Sequence, residues 1–261
     1  MKIKGALLQV ITATVFAVPC IGFAQNQEQP LLYVSVDCMK STSPEYTSVE
    51  IDIWKSIHQE LVSQGKRNSW ALYRVLYGDR SKCDHYTVTT YLGGEQLNSD
   101  PAIDEVFTTV HPGKDFAGAM ARTWESRHHV ATELWVAVDG TQIRQHRYAV
   151  VNRMHADDPD AYERMESRVF KAGHQQLLDA GHRSGWAMYS LVTPSGTSIP
   201  YNYSTVDFSN HLNPVPMAEA MLTAHPDRDL DALQELLELR DHVSSETWVL
   251  VAATASPRDG E

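Results

Sequence analysis

The sequence predicts an α+β fold in which one βαββαβ module occurs twice in tandem. The first observation behind this is an internal repeat. Tyr33, Met39 and Pro44 match Tyr148, Met154 and Pro159 at an offset of 115 residues. After one residue of slip in the following helix, Lys55, His58, Gln59, Leu61, Gly65, Arg67, Trp70, Ala71 and Tyr73 match Lys171, His174, Gln175, Leu177, Gly181, Arg183, Trp186, Ala187 and Tyr189. Leu97-Asn98 then meets Leu212-Asn213, and His111-Pro112 meets His225-Pro226. The second observation is the pattern that closes each copy, Arg-x-His-Val-x-x-Glu-x-Trp, read at Arg127 to Trp135 and again at Arg240 to Trp248. The third is the alternation, inside each copy, of Val- and Tyr-rich stretches with segments of helical period. Chance does not supply this many ordered matches, and so long a period means two domains rather than a solenoid, whose units are roughly 20–50 residues.

Each copy opens with a strand, Leu32 to Cys38 or Arg147 to Arg153, rich in β-branched and aromatic residues. Pro44 and Pro159 mark the start of the first helix, where a missing N–H costs nothing. In that helix Thr47, Ile51, Trp54, His58, Leu61 and Val62 recur on one face, and Gly65 and Gly181 suit its C-terminal cap. A second strand is expected at Trp70 to Leu76 or Trp186 to Val192, and a third at His85 to Tyr91 or Tyr203 to Phe208. A helical region follows, interrupted at His111-Pro112 and His225-Pro226, because the residue before proline avoids the helical region of backbone space. The last strands are Glu133 to Val138 and Glu246 to Val251. The order reads as a ferredoxin-like split unit, and right-handed crossovers put its first and third strands side by side. Strands such as Val34 to Val36 and Leu134 to Val136 are apolar on both faces. Helices cover one face, and the other copy covers the second.

Ahead of the first module, Lys2 and Lys4 precede an interrupted apolar run that ends at Gly22-Phe23-Ala24. This reads as a signal peptide, residues 1–24, cut after Ala24. The run is too short and too broken for a membrane span, and Pro19 before Cys20 does not suit a lipoprotein site. The chain is therefore expected to be exported, periplasmic or secreted. The first module spans 31–138, a linker 139–146, the second module 147–253, and a tail expected to be disordered 254–261. Losing Lys2 and Lys4 takes the formal charge from −11 to −13, which disfavours nucleic acid and anionic membranes as partners.

These elements in this order, duplicated over nearly all of Leu31 to Ala253, resemble the dimeric α/β-barrel superfamily, which includes NIPSNAP-like proteins, antibiotic-biosynthesis monooxygenases and haem-degrading monooxygenases. The resemblance implies two ferredoxin-like sheets packed face to face within one chain, with ligands between a sheet and its helices. It is specific for fold and weak for function. The Asn152-Arg153-Met154 segment looks like the first-strand asparagine of the haem-degrading enzymes, and His242 could play their proximal histidine. The tryptophan those enzymes carry on the second helix is missing from this copy, where Leu237 matches Trp124.

Ligand candidates follow from residue type and placement. His129 and Glu133, like His242 and Glu246, are four apart; on a strand that is about 13 Å, too far for one metal ion, so no metal site is expected. The plainer reading pairs Arg127 or Arg240 with the glutamate and lets the histidine cap the preceding helix. His58 and His174 read as hydrogen-bonded core residues, His111 and His225 as turn residues, and Trp70, Trp186, Trp135 and Trp248 as core. Residues that both copies keep speak for architecture, and those that differ speak for function. Asp37-Cys38 against Asn152-Arg153 is one such difference. Cys38, at the end of the first strand, lies beside the turn joining strands two and three in this topology, within reach of a disulfide to Cys83. No phosphate loop, nucleophile elbow or zinc-helix motif is present.

The reading that results is an exported small-molecule-binding protein or cofactor-independent enzyme. Its pocket lies between sheet and helices and draws on Asp37, Asn152, His129, His242, Glu133 and Glu246. A haem-binding monooxygenase-like protein is the second reading and a non-catalytic interaction protein the third. Whether the chain is an enzyme, and whether it forms homo-oligomers, stays open.

Overall fold

The computed structural model describes residues 30–255 except residue 214; the signal-peptide reading of 1–24 lies outside these residues. Eight strands form one closed barrel: β1 (Leu32–Ser41), β2 (Ser69–Tyr77), β3 (His85–Leu92), β4 (Arg127–Gly140), β5 (Tyr148–His155), β6 (Gly185–Thr193), β7 (Tyr203–Ser209) and β8 (Asp241–Ala253). Their order around the barrel is β1-β3-β2-β8-β5-β7-β6-β4. Each half thus carries the expected split unit, with its first and third strands adjacent. The two half-sheets do more than face each other. They are hydrogen-bonded along two seams, β2 to β8 and β4 to β6, so every strand is paired on both edges and none is left as a template for another chain. This is the dimeric α/β-barrel architecture made from a single polypeptide.

Alternation along the strands separates two kinds of core. Val34, Val36, Tyr73, Val75, Val151, Trp135 and Trp248 point into the barrel and fill it. Met39, Trp70 and Leu72 point outward under the helices of the first half, and Met154, Trp186 and Met188 under those of the second. All four repeated tryptophans are therefore core residues, two inside the barrel and two beneath helices.

Each half has one long helix, residues 46–63 and 159–179, and shorter ones after its third strand: Gly93–Leu97, Ile103–Val110 and Phe116–Ser126 in the first half, Met217–Ala224 and Leu230–Glu235 in the second. Both long helices carry a π-helical turn, Glu50–Trp54 and Glu166–Phe170. Gly65 and Gly181 follow their last turns at φ of 69° and 75°, the left-handed conformation that closes a helix. The Lys66 and His182 N–H groups bond back to the Leu61 and Leu177 carbonyls at 2.9 Å. Pro159 begins its helix behind the Asp158 cap, whereas Pro44 sits in the turn just before Tyr46. His111 and His225 bond the Ile53 and Val169 carbonyls at 3.1 and 2.9 Å and so pin the helix breaks to the π turns.

Three expectations need correction. β4 and β8 begin six and five residues before the predicted Glu133 and Glu246, because the strands continue straight out of the preceding helix. Arg127, His129, Arg240 and His242 stand at these strand starts, and neither histidine caps a helix. Arg127 and Arg240 pair with Glu50 and Glu166 on the long helices, at 3.4 and 3.5 Å, and not with Glu133 and Glu246. Thr254 and Ala255, expected in the tail, are tied down: the Thr254 N–H bonds the Trp70 carbonyl at 2.9 Å and the Ala255 N–H bonds Gln59 at 2.7 Å. The Cys38–Cys83 disulfide is present, with a Cα separation of 5.4 Å.

Candidate functional site

In the first half, a cavity of about 410 Å³ lies between the half-sheet and the helices. Ile57, Ile103, Phe116, Trp54 and Trp70 supply its apolar walls, and Asp37, Glu50, His58, Arg67, Thr87, Thr89, Tyr91 and Arg127 its polar groups. A few polar groups converging within apolar walls is the usual makeup of a small-molecule site. The equivalent region of the second half is packed. Phe170, Met165, Tyr162, Met221 and Leu233 join one core cluster, and Gly173 is needed there because a Cβ would run into Met221.

Two features line the cavity but occur in both halves. Glu50 is buried at 2 % exposure, with Arg127 at 3.4 Å and the Tyr46 phenol against it. Burial pushes its carboxyl up to about 7, and Arg127 limits the rise. Glu166 repeats this with Arg240 and Tyr162, again at about 7. A carboxylic acid of that pKa could exchange protons near neutrality, but its duplication marks it as a device of the fold. The second feature is a His-Arg-Trp stack. His58 lies flat on Trp70 with ring centroids 4.7 Å apart, and its Nδ1 accepts a hydrogen bond from Arg67. His174, Trp186 and Arg183 do the same at 4.7 Å. Burial, then the adjacent arginine, holds both imidazoles well below their ordinary pKa, and they are neutral.

The six predicted ligand residues fall into three places, and of the six Asp37 alone lines the cavity. On β4 the register against β1 slips between Cys38 and Met39, leaving Val130 unpaired. His129 is thereby turned to the helix-facing side with Thr132 and Asp37, and away from Glu133. There the Thr132 hydroxyl donates to Asp37 Oδ1 at 2.5 Å, His129 Nε2 lies 2.8 Å from that hydroxyl, and Thr87 donates to Asp37 Oδ2 at 3.2 Å. Because the threonine proton is used on Asp37, the imidazole is the donor to Thr132. This chain runs from the half-exposed His129 to the cavity wall. In the second half, Asn152 accepts from Ser245 at 2.7 Å and donates to Thr205 at 3.4 Å, while His242 is exposed beyond the bulge at Val243.

Glu133 and Glu246 lie on the other face, inside the barrel. Glu133 accepts from Arg153 at 2.9 Å, from Trp135 Nε1 at 3.1 Å and from the Tyr201 hydroxyl; Glu246 accepts from Trp248 Nε1 at 2.9 Å. They do not share the cavity with Asp37. Sequence reasoning missed Arg67 and Thr89 as cavity residues. Among the described residues, no group of three His, Cys, Asp or Glu side chains could hold a metal ion, and no helix is long and apolar enough to cross a membrane.

The donor set of the cavity does not suit haem. His58 is the one histidine lining it. A metal-ligating imidazole must keep a proton on its other nitrogen and give it to an acceptor. His58 Nδ1 instead faces a guanidinium, which can only donate.

No family model and no curated protein matches the chain. Among solved structures, an anthrone oxidase-like protein is similar over 90 % of this chain and 95 % of its own, with 12 % identity and a TM-score of 0.46. A candidate monooxygenase from Fusobacterium nucleatum subsp. nucleatum covers 87 % and 95 %, with 9 % identity and a TM-score of 0.49. A mutant chlorite dismutase from Candidatus Nitrospira defluvii covers 85 % and 92 %, with 11 % identity and a TM-score of 0.44. At these identities no residue role carries across.

Proposed function

We propose that the chain is an exported small-molecule-binding protein, or a cofactor-independent enzyme, whose ligand occupies the cavity of the first half. One observation carries this reading: a cavity of about 410 Å³ exists where the first half differs from the second, whose counterpart is filled by its own side chains. A fold that needed only stability would have filled both. If turnover follows binding, Asp37 is the group placed to take a proton, its carboxylate held in position by the hydroxyls of Thr132 and Thr87. The Cys38–Cys83 disulfide and the N-terminal segment support export, since disulfides persist in oxidising compartments.

The test is a thermal-shift screen of a metabolite library on the wild type and on a variant of Met120, a further lining residue, Met120→Trp, whose larger side chain fills the cavity. Ligands that stabilise the wild type and not the variant are expected. A library whose hits act equally on both would overturn the placement. Haem titration is expected to leave the Soret band of free haem unshifted, whereas a shift that is lost in His58→Ala would replace this reading with the haem-binding one.

A further inference from the structure

The two halves keep the same buried arginine but differ in what neutralises it. Arg67 and Arg183 reach the same histidine nitrogen on the same stack. In the second half, Arg183 also bonds the carboxylate of Asp207. The register fixes the position equivalent to Asp207. Asp207 pairs with Val150 on β5 and Trp186 on β6; Thr89 pairs with Ser35 on β1 and Trp70 on β2, the matching residues of the first half. Threonine therefore stands where the acid should be. Among the described residues, Arg67 has no carboxylate within ion-pair distance. Asp37, the acid the first half carries instead, is engaged by Thr87 and Thr132.

A guanidinium that lines a cavity with its nearest acid, Asp37, acting on it only from beyond ion-pair distance leaves much of its cost of burial uncompensated. Arg67 does line the cavity, next to Thr89 and Tyr91. We infer that the ligand of this cavity carries an anionic group, a carboxylate, which docks on Arg67 where the second half holds the Asp207 carboxylate. The Trp54, Trp70, Ile57 and Phe116 walls take the apolar remainder of the molecule, so the class is a hydrophobic or aromatic acid. The loss of one carboxyl on β3 would then be what converted a structural ion pair into a binding site. This inference rests on the cavity being the ligand site.

The experiment measures binding of 2-naphthoate and of the neutral 2-naphthamide by calorimetry. Wild type is expected to prefer the acid by about ten-fold or more, the worth of one charge-assisted hydrogen-bonded pair. Thr89→Asp rebuilds the arrangement of the second half and should abolish that preference. Thr89→Asn, of the same shape without the charge, should retain it, which separates charge from crowding even if one variant is less stable. Arg67→Met should lose it as well. Equal binding of acid and amide to wild type, or an unchanged preference in Thr89→Asp, would overturn the anionic assignment while leaving the cavity as a ligand site. Binding of neither probe overturns the assignment too, and a library screen that also finds nothing removes the cavity reading with it.

Discussion

Arg153, on β5 of the second half, places Nη2 2.9 Å from Oε2 of Glu133, on β4 of the first half, with the two side chains only 12 % and 16 % exposed. The guanidinium also lies 4.6 Å from the Trp135 ring and donates to Ser204 at 2.9 Å. Its counterpart in the first half is Cys38, so one site across the pseudo-symmetry holds a disulfide and the other an ion pair that reaches between the halves.

Breaking that pair should cost more than deleting it. Arg153→Ala leaves Glu133 charged and poorly solvated, and is expected to destabilise the fold by about 3 kcal/mol. Adding Glu133→Gln should recover part of the loss. Urea unfolding of both single variants and the double variant checks this, and strictly additive effects would mean the pair has no coupling.

The contribution of Glu50 and Glu166 to stability should fall as pH rises from the weakly acidic range to neutrality. Glu50 and Glu166 are raised from 4.5 to about 7 in the folded chain, mainly by burial. A folded-state pKa above the unfolded one gives a contribution that is complete below about 4.5, declines as pH rises and is gone above about 7. Asp84 works the other way at lower pH. Burial opposes it, but hydrogen bonds from Ser41 and His85 hold it at about 2, so its contribution fails only in stronger acid. Burial holds His58 and His174 well below their ordinary pKa, so their contribution rises over the same range, and the test is the difference between proteins: Glu50→Gln with Glu166→Gln should make the melting temperature climb more, or fall less, than that of the wild type between about pH 5 and pH 8. An unchanged slope in that double variant would contradict the assignment.

Opening the disulfide should weaken the first half. Cys38–Cys83 closes a loop of 45 residues, and loop entropy of that length is worth about 2–4 kcal/mol. Cys38→Ser with Cys83→Ser should lower the denaturation midpoint accordingly. Intact-mass measurement of unreduced protein should detect no free thiol on either residue.

Export predicts a processed N-terminus. Expressed in a host that recognises such leaders, the mature protein should begin at Gln25, read by N-terminal sequencing of the extracytoplasmic fraction. Retention of Met1 in protein held in the cytoplasm would count against it.

Much of the architecture was legible because it lies in patterns the chain states twice: the strand order, the four tryptophans and the glycine caps; the cysteine pair, carried by the first copy alone, followed from that strand order. The site was less so, for physical reasons. Spacing placed His129 and Glu133 on one face of a strand, and only the bulge at Val130 separates them. The Glu50–Arg127 pair joins residues far apart in sequence across a helix–sheet interface, where no local period points. Thr89 and Asp207 escaped notice because the turn between β6 and β7 is two residues longer than that between β2 and β3, which shifts the repeat just where the acid differs.

The two hydrogen-bonded seams have one more consequence. In a barrel assembled from identical subunits, every substitution is made twice, so an empty chamber opened on one side is opened on the other and its cost is doubled. Fusing the halves into one polypeptide ends that obligation. One lobe is then free to change while the other keeps the shape of the whole, and the chamber under the first lobe's helices is where the two have parted.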